Sequence, residues 1–279
     1  MTQPVPAKTV DTAAAGWRSL SLWRIGWTVM TILLIEGLVC GAALLPAALI
    51  WLHVLAVTES SGVLRACAIS AVVIPSYVLF ALLLMFVSGV TARALNWQTP
   101  PYRQMRIANF DWPLLHWARS MVASHVVRFF AGALFRGSPI WTAYLRLAGA
   151  RLGRRVYVNS LAVIDYSLLE CGDDVVLGDG VHLSGHTVEG GIVKTAPIRI
   201  GSNVTIGLGS VIEIGVDIGD GCQVGALSFV PKHARLEAGA IYAGIPVQRI
   251  GTAAGPQEPG HPADHARAAG PRRSPRPRR

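Results

Sequence analysis

The 279-residue sequence is short of charge and has no paired cysteines. Charged residues make up 15% of the chain against 52% hydrophobic ones, and the mean hydropathy is +0.44. An ordinary soluble domain is about a quarter charged, so this composition excludes a chain that lives wholly in water. Cys40, Cys67, Cys171 and Cys222 stand singly. With no CxxC and no paired spacing, they build neither a disulfide framework nor a zinc site and are read as packing thiols. Acids are scarce too: 16 Asp and Glu against 25 Lys and Arg leave a net charge of +9. That excess sits beside the apolar runs and in the Pro- and Arg-rich tail, where it suits anionic lipid headgroups better than a nucleic acid. Tryptophan is absent after Trp141, whereas glycines crowd the region after Leu152. Two physical regimes share one polypeptide.

The first regime is apolar and helical. Ala66 to Val90 carries no charge and is longer than the ~20 residues that cross a bilayer as a helix. Trp27 to Val57 is a second long run, containing Glu36, Pro46 and His53, and its span is read as beginning after Glu36, at Gly37. Arg18 and Arg24 precede the first run, and Arg93, Arg103 and Arg106 follow the second. This bias places both ends in the cytoplasm and the short Thr58–Leu64 connection outside. Asp111-Trp-Pro and Ser138-Pro then open two further helices. They either lie at the membrane interface or cover the start of the domain that follows.

The second regime repeats. Ile200, Ile206, Ile212, Ile218, Val224, Val230, Leu236 and Tyr242 recur every sixth position. Four places beyond the first seven come Val204, Ser210, Val216, Cys222, Ser228, Ala234 and Ala240. A six-residue period fits neither an α-helix nor a long strand. It fits a chain that makes short strands with a corner after each and stacks coil on coil. The aliphatic residue points into a narrow prism, and the second slot stays small because three faces converge there.

The frame slips once in a telling place. From Leu177 to Ile200 is 23 positions, one short of a multiple of six. The stretch between holds His186, Glu189 and Lys194. A solenoid accommodates extra residues by looping them out from one face, where function collects. His186 suits general-base work because imidazole titrates near neutrality. Glu189 is a candidate to orient that ring or to hold an ammonium group on an acceptor. His182 and His233 fall at outward repeat positions. Metal chemistry needs three ligands, and His182 with His186 supplies two without an evident third, so no metal is expected.

Pro197-Ile-Arg-Ile-Gly201-Ser-Asn-Val-Thr-Ile-Gly207, Val224-Gly-Ala-Leu-Ser-Phe-Val-Pro-Lys232 and Tyr242-Ala-Gly-Ile-Pro246-Val-Gln-Arg249 carry a resemblance. They resemble the hexapeptide-repeat acyltransferases, which include sugar O-acetyltransferases. A narrower likeness joins the apolar helices, Ala148-Gly-Ala-Arg-Leu-Gly-Arg-Arg155 and His186-x-x-Glu189 with Lys194. That combination is similar to the membrane-bound C-terminal condensing modules of poly-amino-acid synthetases of the ε-poly-lysine type. The resemblance implies a mainly β fold, a left-handed parallel β-helix, assembled as a homotrimer. It also implies His186 as catalytic base beside Glu189, and an acyl donor on coenzyme A or a carrier protein's phosphopantetheine. Lys194, Lys232 and Arg249 are the candidates for donor phosphate, and Gly225 and Ala226 for the pantetheine arm and oxyanion.

The expected organisation is a cytoplasmic segment at 1–24, a transmembrane hairpin at 25–91, interfacial helices at 92–149, the β-helix at 150–251 and a basic disordered tail at 252–279. The expected function is a membrane-anchored acyltransferase, its catalytic domain facing the cytoplasm, that passes an acyl or aminoacyl group from a phosphopantetheine thioester to an amine or hydroxyl. No cofactor is held permanently. The alternatives are an acetyl-CoA-dependent O-acetyltransferase of a sugar or lipid-linked acceptor, and a non-catalytic trimeric scaffold. No cysteine stands where an acyl-enzyme would form, so direct transfer is expected.

Overall fold

A computed structural model describes the backbone of residues 8–253 and the side chains from residue 22 onward. The tail expected to be disordered falls outside the described residues from position 254. Two long helices come first, α1 (Lys8–Val57) and α2 (Gly62–Ala94). Helix α1 begins well before the first apolar run and passes without a break through Glu36 and Pro46. The stretches Leu22–Val57 and Gly62–Ala94 are long and apolar enough to cross a membrane, with mean hydropathies of 2.2 and 2.4.

A short strand, β1 (Gln104–Arg106), leads into α3 (Trp112–Val127). A π-turn at Arg128–Gly132, a three-residue α4 (Ala133–Phe135) and α5 (Pro139–Leu147) follow. Both longer helices start as their residues dictate. The Asp111 carboxylate accepts from the Leu114 N–H, the Ser138 hydroxyl accepts from the Trp141 N–H, and a proline sits in each first turn. These helices cover the end of the solenoid. The Thr142 hydroxyl donates to the Val156 carbonyl at 3.2 Å, Arg146 Nε donates to the Leu152 carbonyl at 3.2 Å, and Trp141 is fully buried. Of the two readings the sequence left open for this segment, the covering role is directly visible.

The solenoid strands fall into three parallel sheets visited in rotation. The first sheet holds β2 (Arg151–Leu152), β5 (Leu169–Cys171), β10 (Ile198–Ile200), β13 (Asp217–Ile218) and β16 (Arg235–Leu236). The second holds β3 (Tyr157–Val158), β6 (Val176–Leu177), β11 (Thr205–Ile206), β14 (Gln223–Val224) and β17 (Ala240–Ala243). The third holds β4 (Val163–Ile164), β7 (His182–Ser184), β12 (Val211–Ile212) and β15 (Phe229–Val230). A final strand, β18 (Gln248–Thr252), returns antiparallel along β17.

The registers explain the period. Leu177, Ile206 and Val224 stand opposite one another on successive coils, as do Leu183, Ile212 and Val230. All eight residues of the six-spaced series are buried, and the small slots at Val204, Ser210, Val216, Cys222, Ser228 and Ala240 are closed as well. Corners bring backbones too close for a side chain at particular points. A Cβ on Gly207 would stand 2.4 Å from the Ala226 nitrogen. Outside, the first sheet carries alternating charge along its width: Arg151, Glu170, Arg199, Asp217, Arg235 are successive register partners. Two of these pairs close, Arg151 to Glu170 at 2.7 Å and Arg199 to Glu170 at 3.2 Å.

The wall is interrupted once by an outward hairpin, β8 (His186–Glu189) with β9 (Ile192–Thr195), and β1 adds a third antiparallel strand along β9. Gly190 and Gly191 turn the hairpin, both at positive φ.

Because the inward aliphatics stack on one another, a void on one coil weakens its neighbours. Ile212→Ala, at a fully buried position, is expected to lower unfolding stability by about 2–5 kcal/mol, measured by urea unfolding.

Candidate active site

His186 is the first residue of β8, where the chain leaves the solenoid wall. Its Nδ1 lies 2.6 Å from Oδ2 of Asp165. The Asp165 side chain is wholly buried and the His186 side chain is 18% exposed. The second Asp165 oxygen, Oδ1, accepts from the Thr99 hydroxyl at 2.8 Å and from Trp117 Nε1 at 3.3 Å. A buried carboxylate with this many donors is held in one orientation. An Nδ1–H donated to that carboxylate leaves Nε2 with its lone pair available, the tautomer a general base requires. The Trp117 ring meets the imidazole edge to face at 5.0 Å between centroids and limits its rotation.

Four separate segments build this arrangement. Thr99 comes from the linker after α2, Trp117 from α3, Asp165 from the first coil and His186 from the hairpin. Asp165 has left-handed backbone angles, φ 60 and ψ 58, which Asp tolerates better than most residues. Strained backbone at a residue bearing chemistry is a recurring feature of active sites. The Ser184 hydroxyl donates to the His186 carbonyl at 2.7 Å and steadies the departure of the hairpin.

Glu189 does not orient the imidazole. It sits at the hairpin tip, where Lys194 Nζ donates to it at 2.8 Å and Lys232 Nζ donates to its other oxygen. Hydrogen bonds from Lys194 and then Lys232 hold its carboxyl down to about 2. The sign follows: this clamp is fully present above the ordinary carboxylate range and is lost only as pH falls through about 2. The two lysines expected to meet donor phosphate are thus gathered around one acid, with one positive charge in excess. Arg249, on β18, pairs instead with Glu237 at 2.8 Å. The Gly225 N–H is spent on the Tyr242 carbonyl at 2.8 Å, so it is not free as an oxyanion donor. Ala226 is exposed on the corner, and its N–H has no partner among the described residues.

The remaining ionisable groups narrow the chemistry. Burial pushes the Cys171 thiol up to about 12 and the Cys222 thiol up to about 11, so neither is a thiolate nucleophile near neutrality. His182 is half-buried on β7. Burial depresses it, and nearby His186 and Arg128 add to that against an opposing pull from Glu213. No group of three metal-ligating side chains occurs among the described residues.

Asp165, Thr99 and Trp117 were not among the site residues expected from the sequence. A signal for Asp165 exists: inward positions step from Val158 to Val163 and then to Cys171, off the six-residue frame. Thr99 and Trp117 give none, because their roles depend on how the helical layer docks.

The profile of the hexapeptide repeat of succinyl-transferase matches residues 197–229. Galactoside O-acetyltransferase of Escherichia coli K12 is 35% identical over 120 residues, 40% of this chain and 57% of that protein. Delta-poly-L-ornithine synthetase of Acinetobacter baumannii is 24% identical over 111 residues, 40% of this chain but 8% of that protein. Among solved structures, a maltose O-acetyltransferase from Clostridium difficile 630 aligns with 39% of this chain and 61% of its own, at 26% identity and a TM-score of 0.33. The chain thus spans little more than half of the first of these curated relatives and a small fraction of the second. The repeat and the burial pattern agree with this likeness to hexapeptide-repeat acyltransferases, which covers the solenoid part of the chain.

Asp165→Asn replaces the acceptor with a group that can also donate. It is expected to shift His186 away from the Nδ1–H tautomer, read from the nitrogen shifts of isotope-labelled histidine. An unchanged tautomer would remove Asp165 from the site.

Proposed function

We propose that the protein is a membrane-anchored acyltransferase that moves an acyl or aminoacyl group from a phosphopantetheine thioester to an amine or hydroxyl. The single observation carrying this reading is the 2.6 Å contact between His186 Nδ1 and the buried Asp165 carboxylate. Nε2 of His186 takes the proton of the acceptor as its heteroatom attacks the thioester carbonyl. The tetrahedral adduct collapses, the carbon–sulfur bond breaks, and the imidazolium returns the proton to the departing pantetheine thiolate. The depressed reactivity of both solenoid cysteines supports direct transfer in a ternary complex over an acyl-enzyme. The Ala226 N–H is the backbone donor assigned to the oxyanion. Lys194 and Lys232 are assigned to donor phosphate, with Glu189 as the acid that holds them in place, and Arg249 as a further phosphate contact.

The family likeness supports a left-handed coil and a trimer with sites between subunits. The two apolar helices support a hairpin crossing the membrane, with arginines at its flanks favouring a cytoplasmic catalytic part. The match to a poly-ornithine synthetase favours an aminoacyl donor on a carrier protein and an amine acceptor. The stronger match to galactoside O-acetyltransferase favours the second reading, acetyl transfer from acetyl-CoA to a hydroxyl of a sugar or lipid-linked acceptor.

His186→Ala is expected to reduce turnover by about 10²–10⁴-fold, assayed by thiol release from acetyl-CoA and from an aminoacyl-loaded carrier protein. Turnover within a few-fold of the parent with both donors would reject the base assignment and favour a scaffold. Glu189→Gln is expected to raise the donor KM while leaving kcat within about two-fold, because it loosens the lysines and leaves the imidazole alone.

A further inference from the structure

The linker between α2 and β1 contains Thr99-Pro100-Pro101-Tyr102-Arg103. A proline fixes its own φ and confines the residue before it to extended backbone. Thr99 and Pro100 each precede a proline, so the first half of this segment is a stiff strut. It turns sharply at Tyr102, which has a left-handed φ of 53. Glycine or asparagine is the usual residue at such a turn position. Here a tyrosine takes it, and its hydroxyl accepts from Arg199 of β10 at 2.9 Å.

A four-residue turn is closed through the carbonyl of its first residue and the N–H of its last. In the turn at residues 100–103 both groups are met by one side chain from the hairpin. The Thr195 hydroxyl donates to the Pro100 carbonyl at 2.6 Å and accepts from the Arg103 N–H at 3.0 Å. The Thr195 N–H donates to the Arg103 carbonyl at 3.0 Å. A hydroxyl has one hydrogen and two lone pairs, so it can serve both ends of the turn at once. Thr195 is buried, at 4% exposed.

Thr195 also stands directly opposite His186 across the hairpin. Opposed residues of an antiparallel pair have Cα atoms about 4.5–5.5 Å apart, so a displacement of Thr195 is passed to His186. At the other end of the strut, the Thr99 hydroxyl donates to Asp165 Oδ1 at 2.8 Å. The Thr99 N–H and carbonyl are both bonded to the Ser167 hydroxyl, at 3.1 and 3.3 Å. These contacts close a ring. His186 is paired to Thr195, Thr195 is bonded to Pro100, Pro100 is joined to Thr99 through the chain, Thr99 is bonded to Asp165, and Asp165 returns to His186 Nδ1 at 2.6 Å.

We propose that Thr195 is a positioning residue of the acyl transfer. It sets the hairpin against the strut and so fixes the reach from His186 Nδ1 to Asp165, although it hydrogen-bonds to neither side chain. This role rests on the reading of His186 as the base. Without the hydroxyl, the Pro100 carbonyl and the Arg103 N–H can close the turn on each other. The linker then stays folded and no longer takes its place from β9.

The test is Thr195→Val in the full chain, which keeps the branched shape and removes the hydroxyl, beside Thr195→Ser, which keeps the hydroxyl. Thr195→Val is expected to lower kcat about ten-fold while the donor KM stays within about two-fold, because a displaced base weakens the transition state and spares donor binding. Thr195→Ser is expected to hold kcat within about three-fold of the parent. The Nδ1 proton of His186, observed by NMR on isotope-labelled histidine, is expected to move upfield in Thr195→Val as its bond to Asp165 lengthens, and to keep its place in Thr195→Ser. That resonance is read without any donor, so a mistaken base assignment and a mistaken ring give different results. Pro101→Gly, at an exposed position, loosens the strut with the hydroxyl intact and is expected to lower kcat about three-fold with the same sparing of KM. Parent kcat in Thr195→Val, an unmoved resonance, a loss confined to donor KM, or a loss that Thr195→Ser shares would each overturn the positioning role.

Discussion

Each coil of the solenoid lends its backbone to the next, and that dependence governs the rest of the molecule. Gly178 N donates to Ile206 O, Gly207 N to Val224 O and Gly225 N to Tyr242 O, each at 2.8 or 2.9 Å. Beneath these bonds the inward aliphatics stand directly on one another. A residue added within the wall would throw every later side chain onto the wrong face, because strand side chains alternate. Extra sequence therefore leaves the wall altogether, as the hairpin from His186 to Thr195 does. The exit point is fixed by the wall, and it is where the imidazole stands.

The site joins two irregularities to one lid. The first coil departs from its frame at Asp165, the third sheet departs at His186, and the two departures face each other across 2.6 Å. The helical layer supplies what neither has, through the Thr99 hydroxyl and the Trp117 indole on the same carboxylate. The layer both covers the apolar end of the prism and holds the buried Asp165 carboxyl group in place. This coupling ties the His186–Asp165 pair to the helices that precede the solenoid.

Much of the fold was legible because it is periodic. The eight six-spaced residues, the small second slots, the two apolar helices and the Asp111 and Ser138 caps are all local patterns, and each appears where its spacing puts it. The site was legible only in part. His186 stood out because it lies in the frame break, but its partner did not. Glu189, three residues on, lies along the same strand and points its carboxylate to Lys194 and Lys232 at the hairpin tip. Asp165 reaches the ring from 21 residues earlier in sequence through stacking of coils, a relation that only the register between strands reveals. Gly225 shows the same limit, since its N–H is claimed by the coil above.

The alternating charges on the first sheet have a bearing on what the molecule presents to a diffusing anion. Arg151, Glu170, Arg199, Asp217 and Arg235 follow one another with opposite neighbours at each step, so their fields largely cancel within a Debye length. Lys194 and Lys232, set against the single carboxylate of Glu189, leave an uncancelled positive potential beside the hairpin. An anion diffusing along the prism meets one wall that is electrically quiet and another, the one carrying the hairpin, that attracts it before any specific contact forms.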